Sequence, residues 1–438
     1  MITPAMSLRN KLFADGVYTF VFRIGNMAVA ALLSILTARV LGPHGRGVYA
    51  LPLVAFAVAT SGFAGLNNAT SYFMLRERAG RGILRPALLT AGIFVLAGVP
   101  VAFLVAYTTH APWAALAAIA ALPSPAVLAI FYGYQVGIDR VRMNTSYALL
   151  FTMLMLASML AAFAVLGRTP IAAIAAWVIA SDLFAAGALI WLGLHARRLE
   201  GGHVSTLRFA GYAARVGAVF LISLLNYRAD VYIVAAFTDP AQLGMYTLAV
   251  TAAEMLLAAT QVTAVVSSPK IGGMESTQAA AELAARCVRH NVIIALVTCG
   301  LLSIAAPIAI RLLYGAAFLP MVPAFQVLLV GVFALSLGSP MSTYFTIRIG
   351  KPQIPMMLAG LSAAICIAVA LVLVRPYGLV GAALGSTLGY VIGQGTAIAV
   401  FMRIARIGFS RILVPRWSDV TAYFYASNAL LRRLRGAT

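Results

Sequence analysis

Charge is what this sequence has least of. Of its 438 residues only 10% are Asp, Glu, Lys or Arg, and Asp and Glu together number 11. A soluble domain carries about a quarter charged residues. A chain so poor in charge, 62% hydrophobic and with a mean hydropathy of +0.97, is expected to be a polytopic membrane protein, not a large soluble core. Cysteine is nearly absent as well. Cys287, Cys299 and Cys366 lie in or beside apolar runs with no CxxC spacing, so no disulfide framework or metal site is expected. The first apolar run is long and no small-residue cleavage site follows it, so no cleavable leader is expected.

The charge that is present is mostly positive, for a net +20. Nucleic-acid binders collect such charge on one soluble face or arm. Here the basic residues are dispersed at the ends of apolar runs, so no nucleic-acid partner is expected. A helix crossing the hydrocarbon needs about 20 apolar residues. Twelve such spans can be read: 17–39, 47–75, 86–108, 113–134, 143–167, 170–194, 209–236, 243–267, 288–310, 320–347, 353–374 and 378–402. The second and tenth are long enough to be tilted or broken, and Pro320, Pro323 and Pro340 fall at or inside the tenth.

Loop charges test that count. With the N-terminus in the cytoplasm, the inner segments hold 23 Lys and Arg and the outer ones 5, and Arg23, Arg215 and Arg228 remain inside spans. That asymmetry is what the positive-inside rule expects for twelve spans with both ends inside. The outer loops are short, which argues against a catalytic domain there. The segment 275–290 reads as a cytoplasmic helix joining two halves of the chain. The tail 403–438 mixes Arg with Trp, Tyr, Phe and Leu and reads as a basic amphipathic helix on the inner leaflet.

The chain repeats itself. GVYALPLV (47–54) and GMYTLAVT (244–251) share G-x-Y-x-L, follow short proline-containing loops and lie 197 residues apart. PIAAIAAWVIASD (170–182) and LVGAALGSTLGYV (379–391) form a weaker second match. The expected architecture is therefore all-α: two six-helix bundles, 1–200 and 201–402, around a central cavity, with alternating access by rocking.

Polar groups inside spans are costly and usually face a wet cavity or a partner. Span one carries Arg23 and Asn26, span six Asp182, span seven Arg215, Asn226, Arg228 and Asp230, and span eight Glu254 and Gln261. At about 100° per residue, Arg215, Ser223, Asn226 and Asp230 share one stripe of a straight helix, and Arg228 falls roughly 160° from Asn226. Arg23 and Arg215 each lie about 9 Å from the inner end of the span that opens their half. Paired donors on two such arginines suit phosphate, while snorkelling to inner head groups is the competing reading. Asp230, Glu254 and Asp182 could bind a transported H⁺ or Na⁺ or form buried pairs with arginines. No other cofactor, and no metal, is expected.

TARVLGPHGRGVYALPL (37–53) resembles the first outer loop of Wzx-type polysaccharide flippases of the multidrug/oligosaccharidyl-lipid/polysaccharide (MOP) exporter superfamily. LLNYRADVYIVAAFTDPAQLGMYTLAV (224–250) is similar to that family's seventh-to-eighth span signature, an Asp in the helix, a short turn and then L-G-x-Y. The resemblance extends over the whole chain in span number, repeat and orientation. It implies a flippase for undecaprenyl-diphosphate-linked oligosaccharides in a bacterial inner membrane, serving O-antigen, exopolysaccharide or capsule synthesis. It also implies a cationic central cavity for the diphosphate-sugar head, an ion gradient for energy, and polysaccharide assembly proteins as partners beside membrane lipids. Arg23 and Arg215 fit the cavity role by position, and Asp230 matches the family's Asp. The two extra spans common in the lipid II flippase branch are lacking. The first-helix carboxylates of the drug/cation antiporter branch are replaced here by Arg23, which disfavours a cationic substrate. An exporter of drugs or organic cations is the competing transport reading. A membrane-embedded polysaccharide polymerase or ligase is the competing enzymatic one.

Overall fold

The computed structural model describes residues 8–138, 140–196, 201–417 and 419. Among them every regular element is helical. The apolar runs force this outcome, because in lipid each backbone N–H and C=O must be satisfied within its own segment. Two very long helices, Leu8–Ala59 and Gln353–Ala405, are each two crossings joined at a glycine: Gly42 (φ 66°, ψ 179°) and Gly378 (φ 53°, ψ −126°). Those positive φ values lie where only glycine is unstrained. Counting these as two spans each, the eight described helices long and apolar enough to cross a membrane become ten, and the bent helix Thr206–Phe237 makes eleven. The divided pair Pro240–Met255 and Leu257–Gly273 takes the place of the remaining span read from the sequence.

Several crossings are broken, each for a local reason. The second stops at Ala59, makes a 3₁₀ turn over Ser61–Phe63 and resumes as Ala64–Arg76. Thr60 and Ser61 donate their hydroxyls to the Phe56 and Val58 carbonyls, both at 2.8 Å, a contact that competes with the helical ladder. The break is also where the seventh span leans in: a Cβ on Gly217 would lie 2.6 Å from the Gly62 carbonyl oxygen, and one on Gly65 would overlap the Ala213 carbonyl. The fourth span restarts at Pro123, with its proline in the first turn. The eighth divides into Pro240–Met255 and Leu257–Gly273. The tenth runs from a 3₁₀ segment at Ala316–Met321 to a π-helical turn at Tyr344–Arg348.

Two expectations are corrected. Segment 275–290 is not a separate linker helix: from Thr277 it is continuous with the ninth span in one 37-residue helix, Thr277–Leu313. The alanine-rich face Ala280, Ala281, Ala284 and Ala285 is buried, and no helix breaker separates it from the apolar run. Of the tail 403–438, expected to be one amphipathic helix, the described start is not: the last span ends at Ala405, Arg406 is left-handed and a short helix Phe409–Leu413 follows. Positions 418 and 420–438 lie outside the described residues.

Two compact units emerge: Met1–Met245 with Leu313–Phe318, and Tyr246–Leu312 with Leu319–Thr438. The first is cored by Phe63, Leu66, Phe73, Phe131 and Tyr134 among other side chains. In the second, Gly385, Gly389 and Gly393 form a glycine stripe on the last span. Cβ atoms there would come within 2.9 Å of Ala370, 2.7 Å of the Ser362 carbonyl and 2.9 Å of Ser362 Cβ. Small residues let backbones approach closely, and that packing drives helix association in lipid.

Candidate functional site

Seven of the nine ionisable or amide candidates lie in the first unit, and Glu254 and Gln261 in the second. On the first span, Arg23 is exposed and Asn26 half-buried. Asn26 Oδ1 accepts a hydrogen bond from Thr152 Oγ1 at 2.6 Å. Two turns earlier Tyr18 OH meets Ser146 Oγ at 2.8 Å. These two bonds zip the first span to the fifth. Asn26 is thereby committed to a neighbouring helix, while Arg23, three residues before it, stays exposed.

The seventh span, Thr206–Phe237, bends by 64° between its arms Thr206–Ile222 and Asn226–Phe237. The straight-helix stripe joining Arg215 to Asp230 is therefore interrupted. Arg215, on the first arm, is exposed, and its Nε donates back to the Gly211 carbonyl at 3.1 Å. On the second arm Asn226 and Asp230 are buried. The Asn226 Oδ1 is fully enclosed and has no hydrogen-bond partner among the described residues. Asp230 Oδ1 accepts the Val231 backbone N–H at 2.8 Å. Arg228, Asp182 and Glu254 are half-buried. Arg23, Arg228, Asp230 and Glu254 all engage a neighbour through a polar, ring or electrostatic interaction. The side chain of Gln261 lies outside the described set.

Sequence reading passed over three polar features. Asn291, the fourth residue of the ninth span, is fully buried. It accepts from Thr263 Oγ1 at 2.6 Å and donates to the Ser336 carbonyl at 2.8 Å, tying the eighth, ninth and tenth spans. An asparagine inside an apolar run was the available signal. Arg289, counted only as an inner-loop cation, forms a buried ion pair with Asp419, Nε to Oδ2 at 2.6 Å. Its partner is 130 residues away, so no local pattern announces it.

The third feature is at the end of the bundle that carries the first loop, the outer end on the charge count. The two G-x-Y-x-L motifs meet there. A Cβ on Gly47 would overlap the Pro240 carbonyl, and one on Gly244 would overlap the Pro43 carbonyl and sit 2.7 Å from the Gly47 nitrogen. Each repeat's glycine thus packs on the other repeat's loop. Beside this contact the Arg46 guanidinium lies over the Tyr49 ring, 5.2 Å from its centroid. Arg39 Nε donates to the Leu313 carbonyl at 2.8 Å. A neighbouring cavity of about 260 Å³ is lined by residues that include His44, His110, Trp113, Thr238 and Asp239.

Residues 133–323 match the sequence profile of a family described as "Polysaccharide biosynthesis protein". The fold is similar to that of the lipid II flippase MurJ in an inward closed conformation, at 14% identity and a TM-score of 0.68, covering 88% of this chain and 90% of that one. It is also similar to a multidrug resistance MATE family transporter of the MOP superfamily. The inward-facing form gives 16% identity, 87% and 94% coverage and a TM-score of 0.63; the outward-facing form gives 16%, 89% and 94%, and 0.63. No curated protein matches the chain by sequence. The Wzx-type resemblance carried by 37–53 and 224–250 thus finds support from both directions. The matched profile carries a polysaccharide-biosynthesis description, and the fold is similar to that of MurJ and of a MATE family transporter.

Proposed function

We propose that this protein flips undecaprenyl-diphosphate-linked oligosaccharide units across a bacterial inner membrane for polysaccharide assembly, by alternating access coupled to an H⁺ or Na⁺ gradient. The observation that carries the reading is the polysaccharide-biosynthesis match lying within a flippase-like transporter fold. The residues support an anionic cargo. Arg23 and Arg215 are exposed on the first and seventh spans, where a substrate diphosphate can meet paired guanidinium donors. Asp230, enclosed on the bent seventh span, is the leading candidate for the coupling ion.

Arg23→Ala/Arg215→Ala should abolish glycan export while the protein still reaches the membrane, and a deletion strain should accumulate lipid-linked glycan facing the cytoplasm. Full export by the double variant would remove the two arginines from the substrate path. Normal export in the deletion strain would reject the function itself. Asp230→Asn tests ionisation: loss of gradient-driven transport is expected, and unchanged export would reduce Asp230 to a packing residue. The MATE-like fold favours one second reading, export of organic cations. A deletion strain with normal glycan that accumulates cationic dyes would establish it.

A further inference from the structure

Arginine is rare at the outer end. Of 31 Lys and Arg, only Arg39, Arg46, Arg168, Arg311 and Arg375 lie in outer segments. The positive-inside rule works against each of them, so an outer arginine held in a defined pocket calls for an explanation. Arg46 is held. Its backbone is pinned by the reciprocal Gly47 and Gly244 contact, where a Cβ on Gly244 would come 3.3 Å from the Arg46 carbonyl carbon. Its guanidinium lies over Tyr49, and Tyr314 is within electrostatic reach on the segment that Arg39 anchors at Leu313. Yet Arg46 Nε is enclosed and has no hydrogen-bond partner among the described residues, and its guanidinium makes no ion pair among them. A guanidinium offers five donors in a planar fork, and a buried cation without an anion is expensive. The residue as a whole remains half-buried, not sealed.

We infer that Arg46, flanked by Tyr49 and Tyr314, forms an outer-end anion site that takes a phosphate group, the diphosphate of the lipid-linked substrate as it leaves the protein. This rests on the flippase reading for its source, while the site itself rests on the geometry alone. The guanidinium supplies paired donors to non-bridging phosphate oxygens, and the tyrosine hydroxyls supply further donors. Arg23 and Arg215 would meet the same group at the inner end, so the path would carry a phosphate ligand at both ends.

The test uses purified full-length protein carrying Arg23→Gln and Arg215→Gln, which removes the inner arginines, and measures its thermal stabilisation by inorganic pyrophosphate. Adding Arg46→Gln should weaken pyrophosphate binding at least tenfold. Arg46→Lys, which keeps the charge but not the fork, should fall between and also controls for misfolding. Equal binding with and without Arg46 overturns the site. Export by the otherwise native protein is measured separately, so a failed flippase reading and a failed site give different results. In nanodiscs, an undecaprenyl diphosphate should compete with pyrophosphate in an Arg46-dependent way, and phosphatidylglycerol should not. Equal competition by phosphatidylglycerol would overturn the substrate assignment in favour of a bilayer head group.

Discussion

Removing Arg289 should release the start of the C-terminal tail. Arg289 and Asp419 side chains are 7% and 5% exposed. The guanidinium gives Nε to Asp419 Oδ2 at 2.6 Å, Nη2 to Oδ1 at 3.4 Å, and Nη1 to the Arg411 carbonyl. The Arg416 backbone N–H gives Asp419 Oδ2 a further bond at 3.0 Å. Arg289→Ala leaves a buried carboxylate with only that last donor. Breaking a buried pair costs about 3–5 kcal/mol. The lower end, about 3 kcal/mol, applies because the Arg416 amide remains, and it corresponds to on the order of 100-fold in the docking equilibrium. Hydrogen exchange of the Arg416 amide reads this directly and should accelerate by that factor. An acceleration below about threefold would refute the reasoning. Arg289→Ala/Asp419→Ala removes the orphaned charge as well and should dock better than Arg289→Ala alone. The pH dependence follows from the same geometry. Burial alone would raise the Asp419 carboxyl. The hydrogen bonds from Arg289 and the Arg416 amide, with the charge of Arg289, outweigh burial and hold it below its usual range. The contribution is therefore complete above about pH 4, the ordinary aspartate value, and is lost only as pH falls through the lowered folded-state value.

Gly47→Ala should cost stability at the top of the roughly 1–3 kcal/mol range for overpacking, because the added methyl meets the Pro240 backbone and not a movable side chain. A markedly lower unfolding temperature in detergent is the expected reading. Gly187→Ala, with open space around its Cβ position in helix Pro170–Ala196, should raise that temperature slightly by helix propensity. Asn291→Leu should cost only about 1 kcal/mol, since interhelical hydrogen bonds in membranes are individually modest. A loss several times larger in an unfolding titration would show that the Thr263 and Ser336 partners cannot find others.

The apolar spans were legible because they follow from single-residue costs in lipid, which add along a sequence. The breaks were less so. The second span's break at Thr60–Phe63 depends on hydroxyls turning back on carbonyls and on Gly217 packing on Gly62, 155 residues away. The 64° bend in the seventh span has no proline to announce it, and reading that span as a straight helix put Arg215 and Asp230 on one continuous stripe. Asn26 was legible as polar but not as the acceptor of Thr152, because pair partners 126 residues apart leave no trace in a periodicity.

The G-x-Y-x-L repeat carries more than its sequence match suggested. Read along the chain, it marks two segments of like sequence. In the structure the two glycines pack reciprocally, Gly47 on Pro240 and Gly244 on Pro43. Such a contact needs both motifs at once: a side chain at either glycine would push the two loops apart. The tyrosines two residues on, Tyr49 and Tyr246, are both buried, and Tyr49 faces the Arg46 guanidinium. The steric demand on the glycines therefore fixes where Arg46 sits. A loop that only connected two helices would not require this. Gly47→Ala should consequently weaken pyrophosphate binding at Arg46 as well as stability, whereas a destabilising change elsewhere, such as Asn291→Leu, should leave that binding unchanged.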